Sequence, residues 1–433
     1  MDELKRKIAN KNAYIGIIGL GYVGLPLAVE FAKAGFRVTG FDTDKARVNS
    51  IKEGISYILD VPSGDVKELV RNKNLSVTLD KALLKDMDVI IICVPTPLRK
   101  TREPDISYIL QAAEDIALNF RRGQLIILES TTYPGTTEEI ILPKLGANGL
   151  KLGKDFCVAF SPERVDPGNP KYKTKDIPKV VGGVTEICTE LTKLLYSRII
   201  REVIAVSNTR TAEMVKLLEN TYRAVNIGLI NELALMCSKM NLNIWEVIEA
   251  AKTKPFGFMP FYPGPGLGGH CLPCDPIYLS WKARTQGFEA RLIELAAEIN
   301  SSMPDYVVEK ITLALNEKKR AIKASKILVV GVTYKKDIND LRESPALTII
   351  NSLITKEAKV QYHDPLVAAF EIDGLKLSST ELTKENIASS DCVVIVTDHT
   401  SLDYKLIADN AALIIDTRNA LKGFKGNKKI ITI

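Results

Sequence analysis

The rhythm of apolar and polar positions divides this chain into three stretches. In the first, short apolar runs alternate with longer amphipathic ones. The runs are Tyr14-Ile15-Gly16-Ile17-Ile18, Arg37-Val38-Thr39-Gly40-Phe41-Asp42, Asp88-Val89-Ile90-Ile91-Ile92-Cys93-Val94 and Gln124-Leu125-Ile126-Ile127-Leu128. Runs of this kind read as strands buried on both faces. The spacer from Leu25 to Ala34 has helical spacing and is stopped by Gly35. Strands alternating with helices predict a parallel, doubly wound sheet.

The middle is different. From Thr211 to about Met240 one helical pattern runs without proline or an interior turn signal apart from Gly228. By helix rise it is about 45 Å long, enough to join two domains. Helical segments continue to about Leu315, interrupted by the Pro/Gly-rich stretch from Pro255 to Pro276. The remainder echoes the start, with Ile327-Leu328-Val329-Val330-Gly331, Val360-Gln361-Tyr362-His363-Asp364, Cys392-Val393-Val394-Ile395-Val396 and Ala412-Leu413-Ile414-Ile415-Asp416. The predicted class is α/β. Two Rossmann-like, doubly wound parallel-sheet domains are joined by a long central helix and a small helical domain, with boundaries at 1–210, 211–320 and 321–433.

The turns after the two leading strands carry different chemistry. Gly19-Leu20-Gly21-Tyr22-Val23-Gly24 directly follows a strand and opens a helix. Glycines there permit a tight turn and close approach of backbone to a pyrophosphate at the helix N-terminus. Asp42, closing the next strand, is placed to hydrogen-bond ribose hydroxyls and to repel a 2′-phosphate, which favours NAD. The later turn, Gly331-Val332-Thr333-Tyr334-Lys335-Lys336, lacks this pattern and offers ammonium groups instead.

A second concentration of chemistry lies in Gly264-Pro265-Gly266-Leu267-Gly268-Gly269-His270-Cys271-Leu272-Pro273-Cys274-Asp275, a thiol in a glycine-rich loop with a carboxylate four residues on. A hydride-accepting cofactor and a nucleophilic cysteine together can carry an alcohol past the aldehyde, through a thiohemiacetal to a thioester. Cys271 and Cys274 could instead be a redox pair or half a zinc site. A zinc site wants a second ligand pair, and no other Cys-x-x-Cys exists. A thioredoxin-like pair should follow a strand and open a helix, whereas this one is expected among glycines and prolines. No metal is expected.

Lys216 and Asn220, spaced i, i+4, project from one face of the central helix and could bind an oxyanion; a solvated lysine is the plainer reading of Lys216. Thr131 and Glu163 follow strands, at the sheet edge where ligands bind in open α/β folds. Glu163 could activate water; either residue could equally be structural.

Composition narrows the class. At 433 residues the chain exceeds one ordinary core, and 46% hydrophobic with 25% charged residues is globular. The net charge of +6 comes without a Lys/Arg block interleaved with aromatics, which disfavours nucleic acid and suits an anionic small molecule. No apolar run is long enough to span a bilayer, and the opening Met1-Asp2-Glu3-Leu4-Lys5-Arg6-Lys7 lacks the core of a signal peptide. The seven cysteines are scattered. The expectation is a soluble protein of a reducing cytoplasm, without a membrane partner.

In this order, the motifs resemble those of the UDP-glucose/GDP-mannose dehydrogenase family over nearly the whole chain. They are Gly21-Tyr22-Val23-Gly24-Leu25-Pro26, Val94-Pro95-Thr96-Pro97, Ser130-Thr131, Ser161-Pro162-Glu163, the helix around Lys216 and Asn220, Gly268-Gly269-His270-Cys271-Leu272-Pro273, Lys335-Lys336-Asp337 and Arg342-Glu343-Ser344-Pro345. The resemblance implies four-electron oxidation of a nucleotide sugar at C6, with two NAD reduced. By position, Cys271 would be the nucleophile, with Lys216 and Asn220 binding the oxyanion. Asp275 and Thr131 would handle the water that takes the alcohol proton, and Glu163 would serve hydrolysis. NAD would meet Gly19, Gly21, Tyr22, Val23, Gly24, Asp42, Pro95, Thr96, Thr131 and Arg342. The UDP-sugar would meet Glu163, Arg164, Lys216, Asn220, Gly268, Lys335 and Arg418. The first domain would bind NAD, the central one would form a homodimer (higher homo-oligomers left open), and the last would bind UDP.

One position departs from UDP-glucose enzymes, which carry a second glutamate where this chain has Pro167. That run, and Lys254 to Cys271, look like the branch acting on UDP-N-acetylhexosamines. The gluco epimer is the expected substrate, the manno epimer its rival and UDP-glucose third. Whether Asp166 shares the hydrolytic work is left open. A non-catalytic NAD/nucleotide sensor has no need of the thiol, and a single-step hydroxy-acid dehydrogenase has no use for a second nucleotide domain.

Overall fold

A computed structural model describes residues 1–58, 60–146, 149–165, 174–269, 271–424 and 429–433. Asp166, Pro167 and His270 lie outside the described residues. By internal packing the chain divides into two units, Met1–Glu219 with Ile277–Phe288, and Asn220–Pro276 with Glu289–Ile433.

The first unit is built on β1 (Tyr14–Ile18), β2 (Arg37–Phe41), β3 (Leu75–Thr78), β4 (Val89–Ile92), β5 (Leu125–Leu128), β6 (Cys157–Phe160), β7 (Lys179–Gly183) and β8 (Val203–Ala205). They form one sheet in the order β3-β2-β1-β4-β5-β6-β7-β8. Every residue of β4, β5 and β6 is buried, because helices cover both faces. Full burial of each Ile or Leu there contributes about 1.5–3 kcal/mol relative to exposure. The strand order reverses between β1 and β4, which puts the ligand crevice at the carboxyl ends of these strands.

The sheet is not wholly parallel: β7 runs antiparallel to β6, with Phe160 opposite Gly182 and Ala159 opposite Gly183. An antiparallel strand places its first residue where its neighbours place their last. Lys179, the first residue of β7, therefore sits at the crevice end.

The second unit has a parallel sheet, β10-β9-β13-β14-β15. Its strands are β9 (Lys326–Val330), β10 (Lys359–His363), β13 (Cys392–Ile395), β14 (Ile414–Asp416) and β15 (Ile430–Thr432). The strand β15 and an antiparallel ladder of β11 (Ala369–Ile372) with β12 (Leu375–Ser378) add to the expected set. Two Rossmann-like sheets and a long helix bear out the expected fold class.

That helix is Thr209–Lys239. Near its start the buried Glu213 carboxylate accepts from Gly135 N (2.5 Å), Thr137 N (2.9 Å) and Thr137 Oγ1 (2.7 Å). Within the second unit, Asn231 Nδ2 donates to Asn300 Oδ1 at 2.9 Å and Asn300 Nδ2 to the Ala224 carbonyl at 3.0 Å. These bonds register the helix against Arg291–Glu317. No helix among the described residues is long and apolar enough to cross a membrane.

Candidate active site

The glycine turn between β1 and the helix Gly24–Lys33 has the shape a dinucleotide needs. Gly19 has φ of +92°, and a Cβ there would lie 2.5 Å from the Cys93 carbonyl oxygen. At Gly24 a Cβ would meet the Gly19 oxygen at 1.8 Å, so the helix starts close against the turn. Gly21 faces open space. Tyr22 is exposed, Val23 precedes the helix, and the first helical turn carries no acid. The positive end of the helix is left for an anion. Asp42 takes Leu20 N at 2.8 Å and Asp44 N at 2.9 Å, which fixes its carboxylate just beyond β2.

Further loops of the first unit gather at the same sheet edge. Pro95 and Thr96 follow β4, and the Thr96 carbonyl accepts from Tyr278 Oη at 3.0 Å. Ser130 Oγ donates to the Val94 carbonyl at 2.8 Å, tying the Thr131 loop to the Pro95 loop.

Glu163 follows β6, and its Oε1 receives the amides of Arg164 and Val165, both at 2.7 Å. Its Oε2 lies 3.3 Å from Lys179 Nζ. Burial pushes the Glu163 carboxyl up, but the Lys179 charge, these hydrogen bonds and Lys216 outweigh it and hold it at about 2. Arg164 forms a fork onto Glu219, Nη2 to Oε1 at 2.6 Å and Nε to Oε2 at 3.2 Å. Lys216 is 8% exposed, so the solvated-lysine reading is set aside.

In the second unit the thiol does not sit within the loop as expected. Cys271 is exposed and is the first residue of the helix Cys271–Thr285. Pro273 misleads a reader of the sequence, because proline in a first helical turn has no hydrogen bond to lose. The Cys-x-x-Cys therefore does open a helix, though it follows glycines and not a strand. At this end the helix dipole favours negative charge on sulfur. Asp275, one turn on, is 1% exposed and accepts from Asn220 Nδ2 at 2.5 Å. Asn220 is thus committed to Asp275.

Gly268 and Gly269 lead into that helix. A Cβ on Gly268 would lie 2.5 Å from Tyr334 Cβ, and Gly269 N donates to the Arg342 carbonyl at 2.9 Å. The Arg342 guanidinium is engaged with Asp340, at 2.6 to 3.0 Å. Among the described residues no group of three or more His, Cys, Asp and Glu side chains is placed to hold a metal ion.

A cavity of about 1090 Å³ in the second unit is lined by Arg418, Lys336, Lys252 and Lys422, with the stacked pair Trp245 and Tyr262 in its wall. Cationic groups beside aromatic faces suit a nucleoside diphosphate. Lys335 precedes this wall, and its carbonyl accepts from Thr333 Oγ1 at 2.8 Å. Sequence reasoning missed Lys336 as a wall residue, though it is adjacent in the same motif. It also missed Lys252, Lys422 and the aromatic pair, which only the tertiary fold assembles. Glu129 and Lys179 likewise gave no sequence signal.

Residues 13–200 match the NAD binding domain of the UDP-glucose/GDP-mannose dehydrogenase family, residues 210–302 its central domain and residues 328–423 its UDP binding domain. The chain is 37% identical over 361 residues to UDP-N-acetyl-D-glucosamine 6-dehydrogenase of Pseudomonas aeruginosa, covering 83% of this chain and 84% of that one. It is 37% identical over 417 residues to UDP-N-acetyl-D-mannosamine dehydrogenase of Pyrococcus horikoshii, covering 94% and 96%. The solved structure of the Pyrococcus horikoshii UDP-D-ManNAc dehydrogenase aligns with a TM-score of 0.87 at 35% identity, covering 97% of this chain and 98% of that one.

Proposed function

Since the chain belongs to the UDP-glucose/GDP-mannose dehydrogenase family, as an NAD-dependent nucleotide-sugar 6-dehydrogenase, we propose that it oxidises C6 of UDP-N-acetylglucosamine to the carboxylate. The observation that carries this reading is Cys271, exposed at a helix start, with a buried carboxylate one turn behind it.

Bound NAD supplies the acceptor for the hydride that leaves C6 in each of two oxidations. The residues of the chain do the rest. In the first oxidation the alcohol proton passes to water, the step in which Asp275 and Thr131 would take part. The Cys271 thiolate then adds to the aldehyde carbon, forming a C–S bond and an alkoxide that Lys216 and Asn220 stabilise. Loss of the second hydride leaves a thioester. Glu163 takes a proton from the attacking water, the C–S bond breaks, and the thiolate and carboxylate are released. The balance is one water in, with two hydrides and three protons out: one proton from the alcohol, one taken by Glu163 and one lost as the acid product ionises. In this reading Arg164 and Gly268 would meet the sugar, Lys335 and Arg418 the diphosphate, and Arg342 the cofactor.

A second reading takes UDP-N-acetylmannosamine as substrate. It is favoured by the longer coverage of the archaeal relatives and by the TM-score of 0.87. The epimers differ in one acetamido group. NADH formed per limiting sugar, with both epimers and UDP-glucose in parallel, separates these readings. About two NADH per gluco sugar, with the others slow, is the expected result. Two from the manno epimer alone moves the substrate and keeps the chemistry. One NADH per sugar removes the thioester.

Exposed Tyr222, Leu229 and Met236 recur along the central helix at a spacing of seven, which supports a homodimer. Light scattering at twice the 47.8 kDa mass is the check.

A further inference from the structure

Behind Glu163 lies a group of charges that the reaction above does not use. Lys179 and Glu129 are 5% and 1% exposed, and Lys179 Nζ donates to Glu129 Oε1. The other Glu129 oxygen accepts from Tyr196 Oη at 2.5 Å, and the Lys179 ammonium stands 5.2 Å from the centre of the Tyr196 ring. Lys179 also reaches Glu163 Oε2 at 3.3 Å. We propose that Lys179, Glu129 and Tyr196 are positioning residues for thioester hydrolysis, fixing the Glu163 carboxylate and sharing the proton it takes from water. This rests on the reading of Glu163 as the hydrolytic base.

Both Glu163 oxygens are constrained, and from opposite sides. Oε1 is held by two backbone amides of its own loop. Oε2 is held by an ammonium from a different strand. That strand is the antiparallel β7, whose reversal brings Lys179 to the crevice end; a parallel strand would carry it to the far edge. Arg164, which supplies one of the amides, is itself tied at 2.7 Å to the carbonyl of Pro178, the residue before Lys179. The cavity beside Glu163 and Lys179 is about 10 Å³, the lower limit for one water. Lys179, and not solvent, therefore balances the two carboxyls.

A buried ion group of this kind costs more desolvation than two well-packed apolar residues would. Its use must lie in what it orients.

The charges divide unequally between the two carboxyls. Burial pushes Glu129 up to about 7 despite Lys179, with the Glu163 charge adding to the rise, while Glu163 is held low. Both carboxyls lie on the same Lys179 ammonium. A proton accepted by Glu163 thus has a better resting place on Glu129. Among the described residues, the charged and titratable groups facing this cluster are Cys93, whose thiol burial pushes well up, Tyr196, Lys216 and the Arg164 guanidinium with its partner Glu219.

The test separates hydrolysis from the two oxidations. The full-length enzyme, NAD and UDP-N-acetylglucosamine are mixed rapidly, and NADH is followed while intact-protein mass spectrometry reports the acyl-enzyme. If the manno epimer proves to be the substrate, it replaces the gluco sugar. Lys179→Met should keep a burst of about two NADH per subunit, slow steady turnover about 100-fold and accumulate the thioester. The acidic limb of its steady-state profile should move to higher pH, since the cation that held Glu163 ionised is gone. Glu129→Gln should slow turnover about tenfold and lose the ionisation near neutrality. Lys179→Arg should recover most of the rate.

If Lys179→Met does not fold, the charge-balanced Lys179→Met/Glu129→Gln pair takes its place, with the same expected burst and accumulation. Burst and turnover falling together with an unchanged pH profile would mean a structural role only and overturn the proposal, as would wild-type hydrolysis. Glu163→Gln is the reference. If it accumulates thioester while the Lys179 variants do not, this proposal fails and the base assignment stands. If Glu163→Gln hydrolyses normally, both fail.

Discussion

The two Rossmann-like sheets of this chain begin in the same way and are finished differently. In each, the leading strand is followed by a glycine with positive φ, Gly19 at +92° and Gly331 at +81°. In each, the second strand is followed by an aspartate that accepts an amide of that turn. Leu20 N donates to Asp42 at 2.8 Å, and Val332 N to Asp364 at 2.7 Å. After that they part. The first turn closes on Gly24 and enters a helix at once. In the second, Lys336 stands at the position of that third glycine, and the next helix, Pro345–Thr355, starts only after a longer loop.

The aspartates differ as well. Asp42 has Arg47 as its only side-chain ion pair among the described residues, at 3.7 Å. Asp364 is covered by the fully buried His399, whose Nε2 is 3.1 Å away, and its Oδ1 also receives the amides of Leu366 and Val367. The same frame thus holds its carboxylate with two amides and one ion pair in the first unit, and with three amides and a buried histidine in the second. What distinguishes a cofactor turn from its look-alike is the absence of side chains where the ligand must lie, more than the strand pattern.

The sharpest way to break the first half of this comparison is Gly24→Val. With a Cβ at 1.8 Å from the Gly19 oxygen, NAD affinity should fall at least ~100-fold and stability by about 3 kcal/mol, read by calorimetric titration and thermal melting. Unchanged NAD binding would show that the turn does not hold the pyrophosphate.

The second half is tested at Asp364. Asp364→Ala leaves three amides and His399 without an acceptor, and should cost about 3 kcal/mol while NAD binding stays within twofold, by the same two measurements. Burial pushes the Asp364 carboxyl up, but His399 and the surrounding amides outweigh it and hold it below the usual range. Its contribution is therefore complete above about pH 4, the ordinary carboxylate value, and is lost as pH falls through the lower folded value. Asp364→Asn should flatten acid unfolding in that interval.

The smallest effect is expected at Asp42. Replacement by Ala should weaken NAD about tenfold and bring NADP to within reach of it, as measured by KM for each cofactor. An unaltered NAD preference would remove Asp42 from the ribose.

Much of this frame was legible in the sequence because it rests on local signals. The run Ile15-Gly16-Ile17-Ile18 is buried throughout, and its strand falls where the apolar run does. The long helix starts within two residues of its expected position. What was not legible depends on partners far along the chain. Lys179 looks like any lysine before an apolar strand, and only the antiparallel turn of β7 buries it beside Glu129, fifty residues earlier. Asn220 and Asp275 are likewise brought together across 55 residues.

One missed element did have a signal. Asp373 and Gly374, both with positive φ, form the two-residue turn of the β11–β12 ladder, and Asp-Gly between apolar runs is a hairpin mark. The helix at Cys271 was hidden by Pro273, which a first turn tolerates, and by Pro276 inside the helix.

The Glu213 carboxylate has a use beyond holding two elements together. It carries the acceptors for the amides of Gly135 and Thr137 and lies three residues before Lys216 on the same helix. Deuterium uptake at those two amides is therefore a clock for that end of the helix. As long as they exchange slowly, the turn bearing Lys216 is seated on the cofactor sheet. Their exchange rates, with and without NAD, time how often that seat is vacated without any substrate being turned over.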